Sequence, residues 1–282
     1  MEFLKAVLLG IVEGVTEWLP ISSTGHMILV DEFLQLHASA AFMEMFFVVI
    51  QLGAILAVVL LFWGQIFPFG KRNNPHPLRK TGWGAYIKCD IWVLWFKILV
   101  ACVPAAVVGL LWEDTFNRLF YNYTSVSIAL IVFGIGFLLI ERYNRGRRPS
   151  ITRISDLSYR MALAIGLFQL LAAIFPGTSR SGATILGALL LGISRTVAAE
   201  FTFYLAVPVM CGASLLKLVK FGLTFTGTEL GLLLTGCVTA FVVSVAVIRF
   251  LLSYIRRNDF TVFGWYRIAL GTTVLLYFHF AG

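Results

Sequence analysis

The chain has 282 residues, of which 59% are hydrophobic and only 13% charged, about half the charged share of ordinary soluble domains. With a mean hydropathy of +0.89 and 25 Phe, it holds too few polar residues to cover a water-facing surface, which excludes a soluble, a disordered or a peripheral protein. The net charge of +8 falls in short loops between apolar runs, where Lys and Arg set membrane orientation, so it is not a nucleic-acid surface.

The first apolar stretch, 3–36, is broken by Leu19-Pro20-Ile21-Ser22-Ser23-Thr24-Gly25-His26. Its opening run leads into Glu13 and Glu17 rather than a small-residue cleavage site, so it is not read as a signal peptide. Three unbroken stretches follow at 42–69, 91–112 and 123–140, each near the roughly 20 residues that cross a bilayer. A second broken stretch, 158–193, is interrupted by Phe175-Pro176-Gly177-Thr178-Ser179-Arg180-Ser181-Gly182, and spans at 198–219, 230–252 and 262–280 complete the chain. Each flank of a break covers only about half a bilayer at 1.5 Å per residue, which predicts re-entrant helix–loop–helix hairpins. The apolar runs lack the alternation of barrel strands. Cys89, Cys102, Cys211 and Cys237 form no CxxC pair and imply neither a disulfide framework nor a zinc site.

The loops orient these segments. One loop carries Lys71, Arg72, Arg79, Lys80 and Lys88, a second Arg142, Arg145, Arg147, Arg148 and Arg153, and a third Arg256 and Arg257. The 112–123 loop has only Arg118 beside Glu113 and Asp114, and 221–229 has no basic residue. Basic and non-basic loops alternate correctly only if each broken stretch enters and leaves on one side, the first from outside and the second from the cytoplasm. Both termini then lie outside, and Lys217 and Lys220 must snorkel at the outer interface. A displacement of 156 residues carries Gly10 onto Gly166, Glu13 onto Gln169, Pro20 onto Pro176 and Ser23 onto Ser179. The expected architecture is an all-α polytopic membrane protein of one integral domain, 1–282: six transmembrane spans plus two re-entrant hairpins in an inverted-topology repeat, with halves at about 1–140 and 158–282.

Ionisable residues at membrane depth are costly and by default functional. Glu13 and Glu17 lie four apart on one helix face, fit to hold a divalent cation or to act as a general base; a helix end wetted at the interface is the plain alternative. Ser22, Ser23 and Thr24 offer hydroxyls and free N–H groups at a helix start, an anion site as well as a capping site. His26, one turn on, is a general acid, base or nucleophile, or a structural His. Arg180 among Ser179, Ser181 and Thr184 suits phosphate oxygens, or else a salt bridge to Glu13 or Glu17. Arg195 and Glu200 are expected to pair, Lys97 and Arg249 to snorkel, and Gln51, Pro104 and Pro208 to serve kinks or packing. A phosphate-binding site in the membrane midplane implies a lipid phosphate or pyrophosphate as substrate.

These residues carry a resemblance. Glu13-Gly14-Val15-Thr16-Glu17-Trp18-Leu19-Pro20-Ile21-Ser22-Ser23-Thr24-Gly25-His26 resembles the first signature of the bacterial undecaprenyl-diphosphatases of the bacitracin-resistance type. Pro176-Gly177-Thr178-Ser179-Arg180-Ser181-Gly182-Ala183-Thr184 matches their second, PGxSRSxxT, and Gly192-Ile193-Ser194-Arg195, Glu200-Phe201 and Ala206-Val207-Pro208 are also similar. The resemblance implies hydrolysis of undecaprenyl pyrophosphate to undecaprenyl phosphate, recycling the carrier lipid for cell-wall synthesis, with bacitracin competing for the substrate and not for the protein. It implies a multi-pass protein of the bacterial plasma membrane whose site faces outward, a divalent cation (Mg2+ or Ca2+) at Glu13 and Glu17, and no organic cofactor. It also implies Glu13, Glu17, Ser23, Thr24, His26, Ser179, Arg180 and Thr184 as the functional set. Pyrophosphate is then gripped by Arg180 with Ser22, Thr24, Ser179, Ser181 and Thr184. Either Ser23 attacks phosphorus while Glu17 or His26 takes its proton, or Glu17 activates water with Ser23 as a ligand. A homodimer is left open. The SRxxxxxHxxxD phosphatases are set aside, because neither Ser179-Arg180 nor Ser194-Arg195 has a His at that spacing. The alternative function is a polyprenyl-phosphate transporter or flippase on the same repeat, and a scaffold would leave both motifs without a purpose.

Overall fold

The computed structural model describes residues 1–34, 36–70, 74–222 and 224–281, apart from the side chains of Asp31, Glu32, Glu113 and Ala281. Lys71 and Arg72 lie outside the described residues. The described residues form ten α-helices: α1 (Glu2–Thr16), α2 (Ser23–Phe33), α3 (Ala40–Ile66), α4 (Cys89–Phe120), α5 (Tyr123–Asn144), α6 (Tyr159–Ile174), α7 (Arg180–Leu190), α8 (Arg195–Phe221), α9 (Gly227–Ile255) and α10 (Thr261–Ala281).

Local chemistry sets where these helices begin. Ser39, Asn122, Ser158 and Ser194 each accept the amide of the residue three positions on, and Thr226 forms a reciprocal capping box with Glu229. Among the described residues five helices, α3, α4, α5, α8 and α9, are long and apolar enough to cross a membrane, as expected of a multi-pass protein. The sixth expected span forms α10, 21 residues long, but it carries Arg267 and His279 and falls short of that hydropathy. Nothing breaks the chain at Trp112, so α4 continues to Phe120 over part of the expected loop.

Both broken stretches form pairs of short helices, α1–α2 and α6–α7. The pairs are interleaved with the rest of the chain: α1 packs along α9 and α6 along α4, while α3 lies against α8 and α9, and α5 against α10. Glycines permit the tightest of these approaches. A Cβ on Gly53 would sit 2.0 Å from the Cys237 carbonyl oxygen, and one on Gly166 2.3 Å from that of Ala101. Trp18, fully buried at the end of α1, meets Phe203 of α8 edge-on at 5.3 Å and ties the first break into the larger hydrophobic core.

Three charges sit differently from expectation. Arg195 pairs in a two-pronged contact with Glu141 of α5 rather than with Glu200, because residues five apart on a helix point about 140° away from each other. Glu141 is buried and also accepts the Phe260 amide, which joins α5, α8 and the start of α10. Lys217 does not stand alone at the interface but reaches Glu44 of α3 at 2.5 Å. Lys97 is buried, with its ammonium on the Ser155 carbonyl.

Candidate active site

The two breaks use one local device. The first runs from Glu17, the C-cap of α1, through Pro20 to Ser22; the second runs from Phe175 through Gly177 to Ser179. Ser22 and Ser179 have φ of +72° and +67°, and among the described residues they are the non-glycine residues with positive φ. Each caps the helix that follows: Ser22 Oγ accepts from the Gly25 amide at 3.3 Å, and Ser179 Oγ from Gly182 at 3.1 Å. The structural counterpart of Ser179 is therefore Ser22, not Ser23 as the sequence displacement had it. The second break holds one more residue after its proline, which shifts the register by one. Ser23 then corresponds to Arg180, each being the first residue of its helix.

These two first residues meet on Glu17. Arg180 Nη2 donates to Glu17 Oε1 at 2.8 Å, and Ser23 Oγ donates to Glu17 Oε2 at 3.3 Å. Of the alternatives open for Arg180, a salt bridge to Glu17 is the contact formed, and Glu13 takes no part in it. The guanidinium is steadied from behind, where Nη1 donates to the Thr202 carbonyl at 3.0 Å. Several of the predicted ligands are hydrogen-bonded within the protein. Ser181 Oγ donates to the Glu17 carbonyl at 3.0 Å, Thr184 Oγ1 lies 2.9 Å from Thr202 Oγ1, and Ser22, Ser181 and Thr184 are all buried. Ser179 Oγ also lies 3.2 Å from Ser181 Oγ. Thr24 is half-buried on the first turn of α2.

His26 is turned to another partner. Its Nδ1 lies 2.7 Å from the Ser22 carbonyl, which can only accept, so Nδ1 carries a proton. In the neutral ring Nε2 then accepts from Tyr266 Oη of α10 at 2.7 Å, and the two rings stack. Neither Ser23 nor Glu17 is hydrogen-bonded to it.

Glu13 is buried one turn before Glu17, and its Oε1 has no hydrogen-bond partner. Arg180 Nε, Thr178 Oγ1, Trp18 Nε1 and both amide atoms of Gln169 are likewise buried without partners. Buried polar atoms of this kind call for water, an ion or a ligand. Among the described residues no group of three or more His, Cys, Asp or Glu gathers as a metal cluster. Both oxygens of Glu17 are taken by Arg180 and Ser23, so Glu13 Oε1 is the unpartnered carboxylate oxygen, and a hard cation held by this pair would take most of its ligands from phosphate and water.

Three residues that meet the site escaped the sequence reading: Tyr266, Thr202 and, with the most contacts to the breaks, Arg267. Arg267 of α10 is wholly buried and donates to carbonyls of both breaks: Nη1 to Pro20 at 3.2 Å, and Nη2 to Gly177 at 3.0 Å and Thr178 at 2.7 Å. An arginine inside the apolar run 262–280 is itself the signal that could have found it.

Residues 6–273 match the family described as bacitracin resistance protein BacA. Over 278 residues the chain is 64% identical to an undecaprenyl-diphosphatase of Desulfitobacterium hafniense, covering 99% of this chain and 96% of the relative. It is 58% identical to undecaprenyl-diphosphatase 1 of Clostridium acetobutylicum over 99% of this chain and 98% of the relative. It is 55% identical to an undecaprenyl-diphosphatase of Enterococcus faecalis, over 98% of each.

Proposed function

The chain belongs to the BacA family of bacitracin resistance proteins, and on that footing we propose that it is an undecaprenyl-diphosphatase. It hydrolyses undecaprenyl pyrophosphate to undecaprenyl phosphate and inorganic phosphate, returns the carrier lipid to cell-wall synthesis, and confers resistance by removing the lipid that bacitracin binds. The observation that carries this reading is the meeting of Ser23, Glu17 and Arg180 at two helix starts inside an apolar protein. A hydroxyl on a carboxylate, with a guanidinium and helix N-termini beside it, is equipment for phosphoryl transfer.

In this mechanism Ser23 Oγ attacks the terminal phosphorus and passes its proton to Glu17 Oε2. The anhydride P–O bond breaks, and its electron pair leaves on undecaprenyl phosphate, which takes the proton from Glu17. Water then attacks the phosphoserine, Glu17 accepts the water proton, and Ser23 Oγ recovers it as inorganic phosphate departs. As Glu17 gains a proton its hold on Arg180 weakens, and the guanidinium turns to the phosphoryl oxygens with Ser179 and Thr24. The 3.3 Å contact favours Glu17 over His26 as the base for Ser23. Glu13 and Glu17 would hold a divalent cation, Mg2+ or Ca2+, whose charge would offset that of the phosphates.

The same reading takes the broken stretches as re-entrant hairpins in an inverted repeat of six spans, with the site open to the outer side of the bacterial plasma membrane. It is supported by the matched capping serines, by the equal 11-residue lengths of α2 and α7, and by the equal 27-residue lengths of α3 and α8. Every residue assigned to the site in this reading comes from one chain, an arrangement that a homodimer would leave intact.

Phosphate release from polyprenyl pyrophosphate by the purified protein, with and without EDTA, tests the function. Ser23→Ala, Glu17→Gln and Arg180→Lys are expected to lower turnover by about 100-fold or more while remaining monodisperse. Single turnover in 18O-water, quenched to trap phosphoserine, separates Ser23 attack from direct water attack. Wild-type protein that moves lipid across liposomes without releasing phosphate would establish the flippase instead.

A further inference from the structure

We propose that Arg267 is a positioning residue that fixes both breaks in their phosphate-receiving geometry, an inference that rests on the phosphatase reading. Its guanidinium spans carbonyls 157 positions apart in the chain, Pro20 in the first break and Gly177 in the second, with Thr178 beside the latter. Among the described residues no carboxylate pairs with it. Burying a guanidinium is costly, and a role confined to packing would be served by an apolar side chain of similar volume. What a planar fork supplies, and an apolar side chain does not, is simultaneous direction of several carbonyls.

The direction matters because a trans peptide points its C=O and N–H opposite ways. Holding the Thr178 carbonyl toward Arg267 turns the Ser179 amide away from it, at the positive-φ residue that caps α7 and precedes Arg180. Holding the Pro20 carbonyl fixes the chain two residues before Ser22, the matching positive-φ cap, and three before Ser23. Arg267 thus acts through Ser179, Arg180 and Ser23 without itself meeting the reacting atoms.

Gly182 supplies an independent observation. A Cβ there would lie 2.6 Å from Arg267 Nη1, so the guanidinium occupies the space of the missing side chain under the first turn of α7. A cation at helix N-termini is electrostatically unfavourable by itself. Here carbonyl oxygens offset that charge in the free protein, and an anionic phosphate arriving at the breaks offsets it further. Because Arg180 is paired with Glu17, Arg267 is the guanidinium at the breaks that has no carboxylate of its own.

The test uses full-length protein and two readouts. For Arg267→Met, kcat is expected to fall about 100-fold with KM changed by less than about threefold, the signature of misplacement at a distance. Arg267→Lys keeps the charge without the fork and is expected to recover about tenfold of that loss. Gly182→Ala, which crowds the guanidinium without removing it, is expected to lower kcat in the wild type but by at least fivefold less in the Arg267→Lys background. Hydrogen exchange is the second readout and does not depend on activity. Peptides covering 17–24 and 175–182 should exchange faster in Arg267→Met while those of α9 do not change. Additive Gly182 and Arg267 effects, or unchanged exchange at both breaks, would overturn the positioning role. If wild-type protein releases no phosphate but exchange at the breaks still responds, the phosphatase reading fails and the positioning of the breaks stands.

Discussion

Ser22 and Ser179 combine two properties that pull in opposite directions. A positive φ strains any residue with a Cβ, by about 1–3 kcal/mol, and glycine would relieve it. Yet each serine hydroxyl accepts an amide that otherwise lacks a partner. The balance can be measured at Ser22. Ser22→Gly loses the hydroxyl and the strain together, so its melting temperature in detergent is expected to match or exceed the wild type. Ser22→Ala loses the hydroxyl and keeps the strain, and is expected to cost about 1–2 kcal/mol. Equal destabilisation by both substitutions would mean that the backbone at Ser22 is not strained. The serines were legible in the sequence as polar residues after a proline, and capping was one reading of them. That Ser22 matches Ser179, and Ser23 matches Arg180, was not legible, since one extra residue after Pro176 shifts the alignment and identities alone cannot locate it.

Helices in this protein are held largely by close approach, because lipid removes most of the hydrophobic drive between them. Gly166 on α6 and Gly53 on α3 each lie where a side chain would strike a backbone carbonyl of the helix alongside, which cannot rotate out of the way. Gly166→Val is therefore expected to destabilise the protein by about 1–3 kcal/mol or more, read as a lowered unfolding temperature. Gly64 on the same α3 has open space around its would-be Cβ. Gly64→Ala is expected to be neutral or to stabilise by up to about 1 kcal/mol through helix propensity. An equal response at the two positions would refute packing as the reason for Gly166. Helix existence was legible from the apolar runs, and starts such as Ser158 and Thr226 from their side chains. Partnership between α6 and α4 was not, since a small residue announces a close neighbour without saying which one.

At the scale of the whole molecule, each short helix that opens a broken stretch lies against a long helix from the other half of the chain. A polar site is thereby enclosed where neither half could enclose it alone. The orientation proposed for this assembly has a direct check. In protein whose Cys89, Cys102, Cys211 and Cys237 are replaced, Arg147→Cys is expected to react with an impermeant thiol reagent only from the cytoplasmic side, and Asn122→Cys only from outside. The same side for both would remove the inverted arrangement. Sequence by itself determined the membrane class, the two breaks and the family resemblance, because hydropathy, capping and short motifs are properties of contiguous residues. Only the tertiary structure decided that Arg180 rests on Glu17 rather than Glu13, that His26 turns to Tyr266, that Arg195 belongs to Glu141, and that Arg267 gathers carbonyls from both breaks. Each of those contacts joins residues more than 50 positions apart. Such a contact follows from how helices pack in three dimensions, which no local run of residues encodes.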